Sequence, residues 1–97
     1  MNAFDYVASN RDWTLVHGIC ILTGGPHVGE EFGHAWAEKG ETVYDAASGK
    51  SVPKVLYYAF GNVGYTVRYS WTEAQNKAVK VGTFGAWDKK INKALHS

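Results

Sequence analysis

The sequence predicts an α+β domain: an antiparallel β-meander of three to four strands with short helices packed on one face. Three observations carry this. "WTLVHGICIL" (13–22) is built almost wholly from strand-forming apolar residues and ends at the turn signal "TGGP". "FGHAWAEKGETVYDAASGK" (32–50) holds two alternating runs on either side of Lys39-Gly40. Three later segments carry helical spacing with recognisable stops. A sheet with one apolar face must bury it, and helices of this length are the available cover. The chain of 97 residues is read as one domain, 1–97, and 45% hydrophobic with 14% aromatic residues is ample for a core without staples.

In chain order, residues 1–12 read as a short helix or coil. Residues 13–22 read as a central strand, because both alternating faces are mostly apolar. "TGGPHVGEE" (23–31) is a Gly-rich loop containing His27. Strands follow at 32–38 and 41–45, and "DAASGKSVPK" then leaves the sheet as a polar loop. "PKVLYYAFG" (53–61) fits a helix with Pro53 in the first turn and Gly61 after the last. "GYTVRYSW" (64–71) alternates as a strand. Thr72 and Gln75 match a capping box, with Gly82 as the stop. Trp87, Ile91 and Leu95 repeat at i, i+4, i+8, one face of a last helix within "AWDKKINKALHS".

The hairpin holds the candidate site. With Lys39-Gly40 at the turn centre, Glu38 opposes Glu41, Trp36 opposes Val43 and His34 opposes Asp45, all on one face. Opposed Cβ atoms lie about 5 Å apart, within reach of an imidazole–carboxylate hydrogen bond that fixes the histidine tautomer. If Leu22 opposes Phe32, Cys20 opposes His34, and Cys20, His34 and Asp45 form a row across three strands. Registers that pair His34 with Ile19 or Ile21 are equally allowed. Such a row is the composition of a Cys/His/Asp acyl-transfer site, with Cys20 the only available thiol. The same residues can instead belong to a buried strand, since a lone Cys in "HGICIL" suits a small apolar site. His17, Trp36, Glu38 and Tyr44 are the candidates for lining a ligand pocket beside His34.

Composition narrows the functional classes. A net charge of +1 with no basic block beyond Lys89-Lys90 argues against a nucleic-acid binder. A single cysteine excludes an internal disulfide. The N-terminus "MNAFDYVASNRDW" lacks the apolar run of a signal peptide, and no membrane span is present, so a cytoplasmic protein is expected. No pair of histidines or Cys20 shows a recognised ligand spacing, so neither metal nor other cofactor is expected. "TGGPHVGE" lacks the spacing of a phosphate loop.

"GHAWAEKGETVYDAASG" resembles the His/Asp half of the papain-like and transglutaminase-like fold, including the peptidases that process lasso-peptide precursors. The pattern, His-Ala-Trp-x-Glu, a turn, then an aliphatic residue shortly before Asp, falls on His34, Ala35, Trp36, Glu38, Val43 and Asp45. The resemblance spans residues 15–46 and implies His34 as general base with Asp45 orienting it. In those families the nucleophilic Cys opens a helix upstream of the sheet, whereas Cys20 lies inside an apolar strand. The whole chain, through "WTLVHG", "PKVLYYAFG" and "GTFGAWD", is also similar to small proteins of bacteriophages and prophages, which implies an origin and no activity. Two functions are therefore expected: an accessory protein whose His34/Asp45 face binds a small ligand or a host protein, or an amide hydrolase or acyltransferase. If the chain is phage-encoded, its compartment is the host cytoplasm.

Overall fold

The computed structural model describes residues 2–95. Met1 and the His96-Ser97 end of the last predicted helix lie outside them, as does the side chain of Leu95. The elements are α1 (Ala3–Ser9), β1 (Thr14–Ile21), β2 (Glu31–Lys39), β3 (Thr42–Asp45), β4 (Lys50–Pro53), α2 (Lys54–Gly61), β5 (Tyr65–Tyr69), α3 (Trp71–Val81) and α4 (Lys89–Leu95). They form an α+β domain around one antiparallel sheet of order β4-β3-β2-β1-β5.

The sheet has five strands rather than three to four. The unforeseen strand is β4, in the segment read as a polar loop. Its sequence, Lys-Ser-Val-Pro, has one aliphatic residue, so hydrophobic periodicity is silent there. The turn before it makes the strand. Asp45 accepts from the Ala47 N–H at 2.9 Å, Gly49 donates to the Asp45 carbonyl at 2.8 Å, and Gly49 takes φ +70°. Pro53 is tolerated because β4 is an edge strand.

Both registers differ from those predicted by two residues. In the β2–β3 hairpin Lys39 pairs with Thr42 and Glu38 with Val43. The two-residue turn is therefore Gly40-Glu41, with Gly40 at φ +58°. A turn whose first central residue alone has positive φ wants glycine there, which places Gly40 first rather than second. Along β1, Cys20 pairs with Phe32 and Gly18 with His34. A slip of two leaves every side chain on its predicted face, whereas a slip of one would reverse them all.

Helices cover both faces of the sheet, not one. On one face Leu15, Ala37 and Tyr69 pack against Ala3 and Val7 of α1 and Ala74 of α3, and Ile19 packs against Ile91 and Ala94 of α4. On the other, Val16, Cys20, Trp36 and Val43 pack under Tyr57 and Tyr58 of α2. This second face has almost no room over Gly18. A Cβ there would meet Trp36 Cη2 at 2.4 Å, and Trp36 is fully buried. The close approach of indole to backbone sets the depth at which the α2 layer sits.

Helix ends are partly displaced from expectation. The capping box is Ser70–Glu73 rather than Thr72–Gln75: Ser70 Oγ accepts from the Glu73 N–H and Glu73 accepts from the Ser70 N–H. Gly82 closes α3 in the left-handed conformation, as predicted. Gly61 is the last residue of α2, and Asn62 takes the left-handed position after it at φ 48°.

A candidate ligand pocket at the Cys20–His34–Asp45 face

Cys20 on β1, His34 on β2 and Asp45 at the end of β3 share the α2 face and line one pocket of about 420 Å³. The remaining wall is mainly apolar: Phe32, Val52, Leu56, Phe60 and Gly61, with Ser48, Lys50 and Tyr57 as polar additions. Because the hairpin register is offset, Asp45 meets His34 diagonally rather than directly. The side chains still close the gap, with His34 Nε2 and Asp45 Oδ2 3.2 Å apart.

Asp45 is already saturated. Its Oδ2 also accepts from the Tyr57 hydroxyl at 2.7 Å, and its Oδ1 accepts from the Ala47 N–H. Partial burial raises its carboxyl pKa, and hydrogen bonds from Tyr57, His34 and Ala47 together with the His34 charge more than offset this, leaving it below the usual value. Tyr57, buried and donating to that carboxylate, is pushed well above the phenol range. With Nε2 facing Asp45, His34 turns Nδ1 away from the acid.

Cys20 does not complete a catalytic row. Its thiol is 3% exposed, and among the described residues no hydrogen bond joins it to His34. A Cβ on Gly61 would lie 3.6 Å from Cys20 Sγ, so the sulfur sits beneath the end of α2. Burial, and then the Asp45 charge, push its pKa up, which disfavours the thiolate a nucleophile needs.

The other predicted ligand residues separate. Trp36 is a buried core residue whose Nε1 donates to Glu38 Oε2 at 2.8 Å. Glu38, 5% exposed, also accepts from the Tyr58 hydroxyl and from Arg68 at 3.3 Å, and pairs with Lys54 at 3.4 Å. Burial raises its pKa, but Tyr58, Trp36, Arg68 and Lys54 bring it below the usual value. Glu38 is thus the centre of an internal polar network and presents nothing to a ligand. Tyr44 lies on the opposite face, stacked on Tyr6 with ring centroids 4.0 Å apart. His17 is on that face too, between Tyr69 and Trp87; it shares no pocket with Trp36 but lines a cavity that His34 also borders. The Nδ1 of His17 is buried without a partner among the described residues, a state that costs about 1–3 kcal/mol.

The residues missed by sequence reasoning are Tyr57, Lys50, Phe32 and Phe60. Tyr57 and Tyr58 are adjacent on α2, so their hydroxyls diverge to two different carboxylates, Asp45 and Glu38. The doubled tyrosine in "VLYYAF" was the available signal, but only the register of β3 and the seat of α2 assign its partners. Among the described residues, no group of three or more His, Cys, Asp or Glu side chains is placed to hold a metal ion. No helix among them is long and apolar enough to cross a membrane. No family model, curated protein or solved structure matches this chain.

Proposed function

We propose that the protein binds a small, mainly apolar ligand in the Cys20–His34–Asp45 pocket and that these three residues shape and orient rather than react. One observation carries this reading: the carboxylate and the thiol are both committed to the interior. Asp45 spends its oxygens on Tyr57, His34 and Ala47, and the thiol is buried, protonated and not bonded to His34. An acyl-transfer site requires the thiol within hydrogen-bond reach of its base.

The groups left for a ligand are the outward nitrogen of His34, the Lys50 ammonium and an apolar wall formed by Phe32, Val52, Leu56 and Phe60. They suit a compact apolar body with one polar head. A host-protein partner is the second reading. Leu56 and Phe60, 47% and 79% exposed, are the α2 residues at the pocket rim, so an apolar side chain of a protein can fill the same space.

Titration of the labelled protein with monocyclic aromatic amides, acids and amines tests the reading. Expected are saturable amide shifts at Phe32, Ser48, Lys50 and Phe60. The double substitution Leu56→Ala/Phe60→Ala, at exposed helix positions, should weaken binding by about tenfold. Thiol alkylation that is rapid below pH 7 and slows in His34→Ala would instead favour the hydrolase or acyltransferase.

A further inference from the structure

The opposite face of the sheet holds a larger cavity, of about 650 Å³. Its origin is visible in the strand sequence. The residues of β2 that face α1 and α4 are Gly33, Ala35 and Ala37, and such small side chains leave room above them. Phe4 of α1, Ile91 of α4 and the segment Thr83–Ala86 close round that space, with Phe4 and Phe84 in ring contact at 5.1 Å.

His17, directly opposite Ala35, is part of this lining. It is 3% exposed, and neither ring nitrogen has a hydrogen-bond partner among the described residues. Its Cε1–Nε2 edge faces Gly85, where a Cβ would lie 3.6 Å from Cε1 and 3.7 Å from Nε2. Tyr69 and Trp87 hold the ring at centroid distances of 5.2 and 5.1 Å. Burial depresses its pKa to about 4, so the imidazole is neutral at pH 7, with one N–H and one lone pair to offer. No Asp, Glu, Lys or Arg among the described residues lines the cavity; besides His17, its polar lining residues are Asn2, Thr83, Asn92 and His34, which also borders the Cys20 pocket.

We infer that the cavity over His17 is a second binding site, for an uncharged small molecule with a compact apolar body and one hydrogen-bonding group set against the imidazole. A mainly apolar wall with no Asp, Glu, Lys or Arg in it disfavours a charged ligand, which would lose hydration without gaining a counter-charge. A buried imidazole with no partner rewards a ligand that supplies one. The site lies across the sheet from the Cys20 pocket, shares only the bordering His34 with it, and stands without that reading.

The test uses indole and benzamide as neutral probes, with benzoate and benzylamine as charged counterparts. The readouts are the ring nitrogens of His17 and the amides of Gly85 and Ala86, by nitrogen-15 NMR on the whole chain. Expected are saturable shifts with the neutral probes and binding at least about tenfold weaker for the charged ones. Ala35→Leu, which fills the cavity and keeps His17, should abolish the shifts. His17→Phe, which keeps the ring's shape and removes its nitrogens, should weaken benzamide by about fivefold or more. The inference fails if no neutral probe moves the His17 ring, which leaves a cavity holding water only. It fails equally if charged probes bind as well, or if Ala35→Leu binds like the parent.

Discussion

Glu38 and His17 are both almost wholly buried, and they resolve the cost of burial in opposite ways. Glu38 keeps its charge, because two hydrogen-bond donors and two cations surround it. His17 has no such partners, and burial outweighs the raising effect of Asp88, so it gives up its charge. The consequences for stability follow from proton linkage. An unfolded histidine titrates near 6.5, and folded His17 at about 4, so between those values the unfolded chain holds more protons. Stability is therefore complete above about pH 6.5 and declines as pH falls towards 4, by about 3 kcal/mol in all. His17→Phe should flatten this part of the curve, measured by denaturant unfolding from pH 7.5 to 4. A separate loss at lower pH, as Glu38 and Asp45 take up protons, should survive the substitution, since both carboxylates are held below their ordinary values.

At the scale of the element, the hairpin and α3 were each recognised as elements and misplaced by the same two residues. In the hairpin the error is harmless to function, since a shift of two keeps His34, Trp36, Glu38 and Asp45 on one face. In α3 it changes which residue matters. Both "TEAQ" and "SWTE" satisfy the capping pattern, and the earlier one wins because β5 ends at Tyr69 and the chain turns at Ser70. Ser70→Ala should cost about 1 kcal/mol in chemical denaturation, while Thr72→Ala, already inside the helix, should cost less than about 0.5 kcal/mol. Equal effects at both positions would place the helix start elsewhere.

For the molecule as a whole, the decisive feature is that α2 covers the sheet face opposite α1, α3 and α4. Cys20, on the second strand from one edge, is 3% exposed on the floor of the pocket beneath α2. The thiol should therefore report global opening. Alkylation by iodoacetamide in native buffer should be slow, should track the unfolding free energy as denaturant is added, and should reach the rate of an ordinary thiol in the unfolded chain. Fast modification of the folded protein would mean that the thiol is reached through the pocket or by local opening of α2.

Much of this was legible along the chain. The central strand showed itself through continuous apolar character, β2 and β3 through alternation, α3 through its capping pattern and stop, and α4 only in part, since Trp87 of the predicted helical face lies before the helix begins at Lys89. That His34 and Asp45 share a face was legible too, because the even slip of the hairpin keeps parity, whereas the face of Cys20 was not, since registers pairing His34 with Ile19 or Ile21 were equally allowed. The chain alone thus settles local features: element type, strand polarity and, within the hairpin, which residues share a face. Tertiary structure alone decided that "KSVP" pairs as an edge strand, that α2 crosses to the other face, and that Tyr57 reaches Asp45 while Tyr58 reaches Glu38. It also left His17 buried, without a hydrogen-bond partner among the described residues, beside the cavity above β2. The physical reason is that periodicity reports burial, whereas partner choice, saturation of a carboxylate and empty volume depend on contacts between residues distant in the chain.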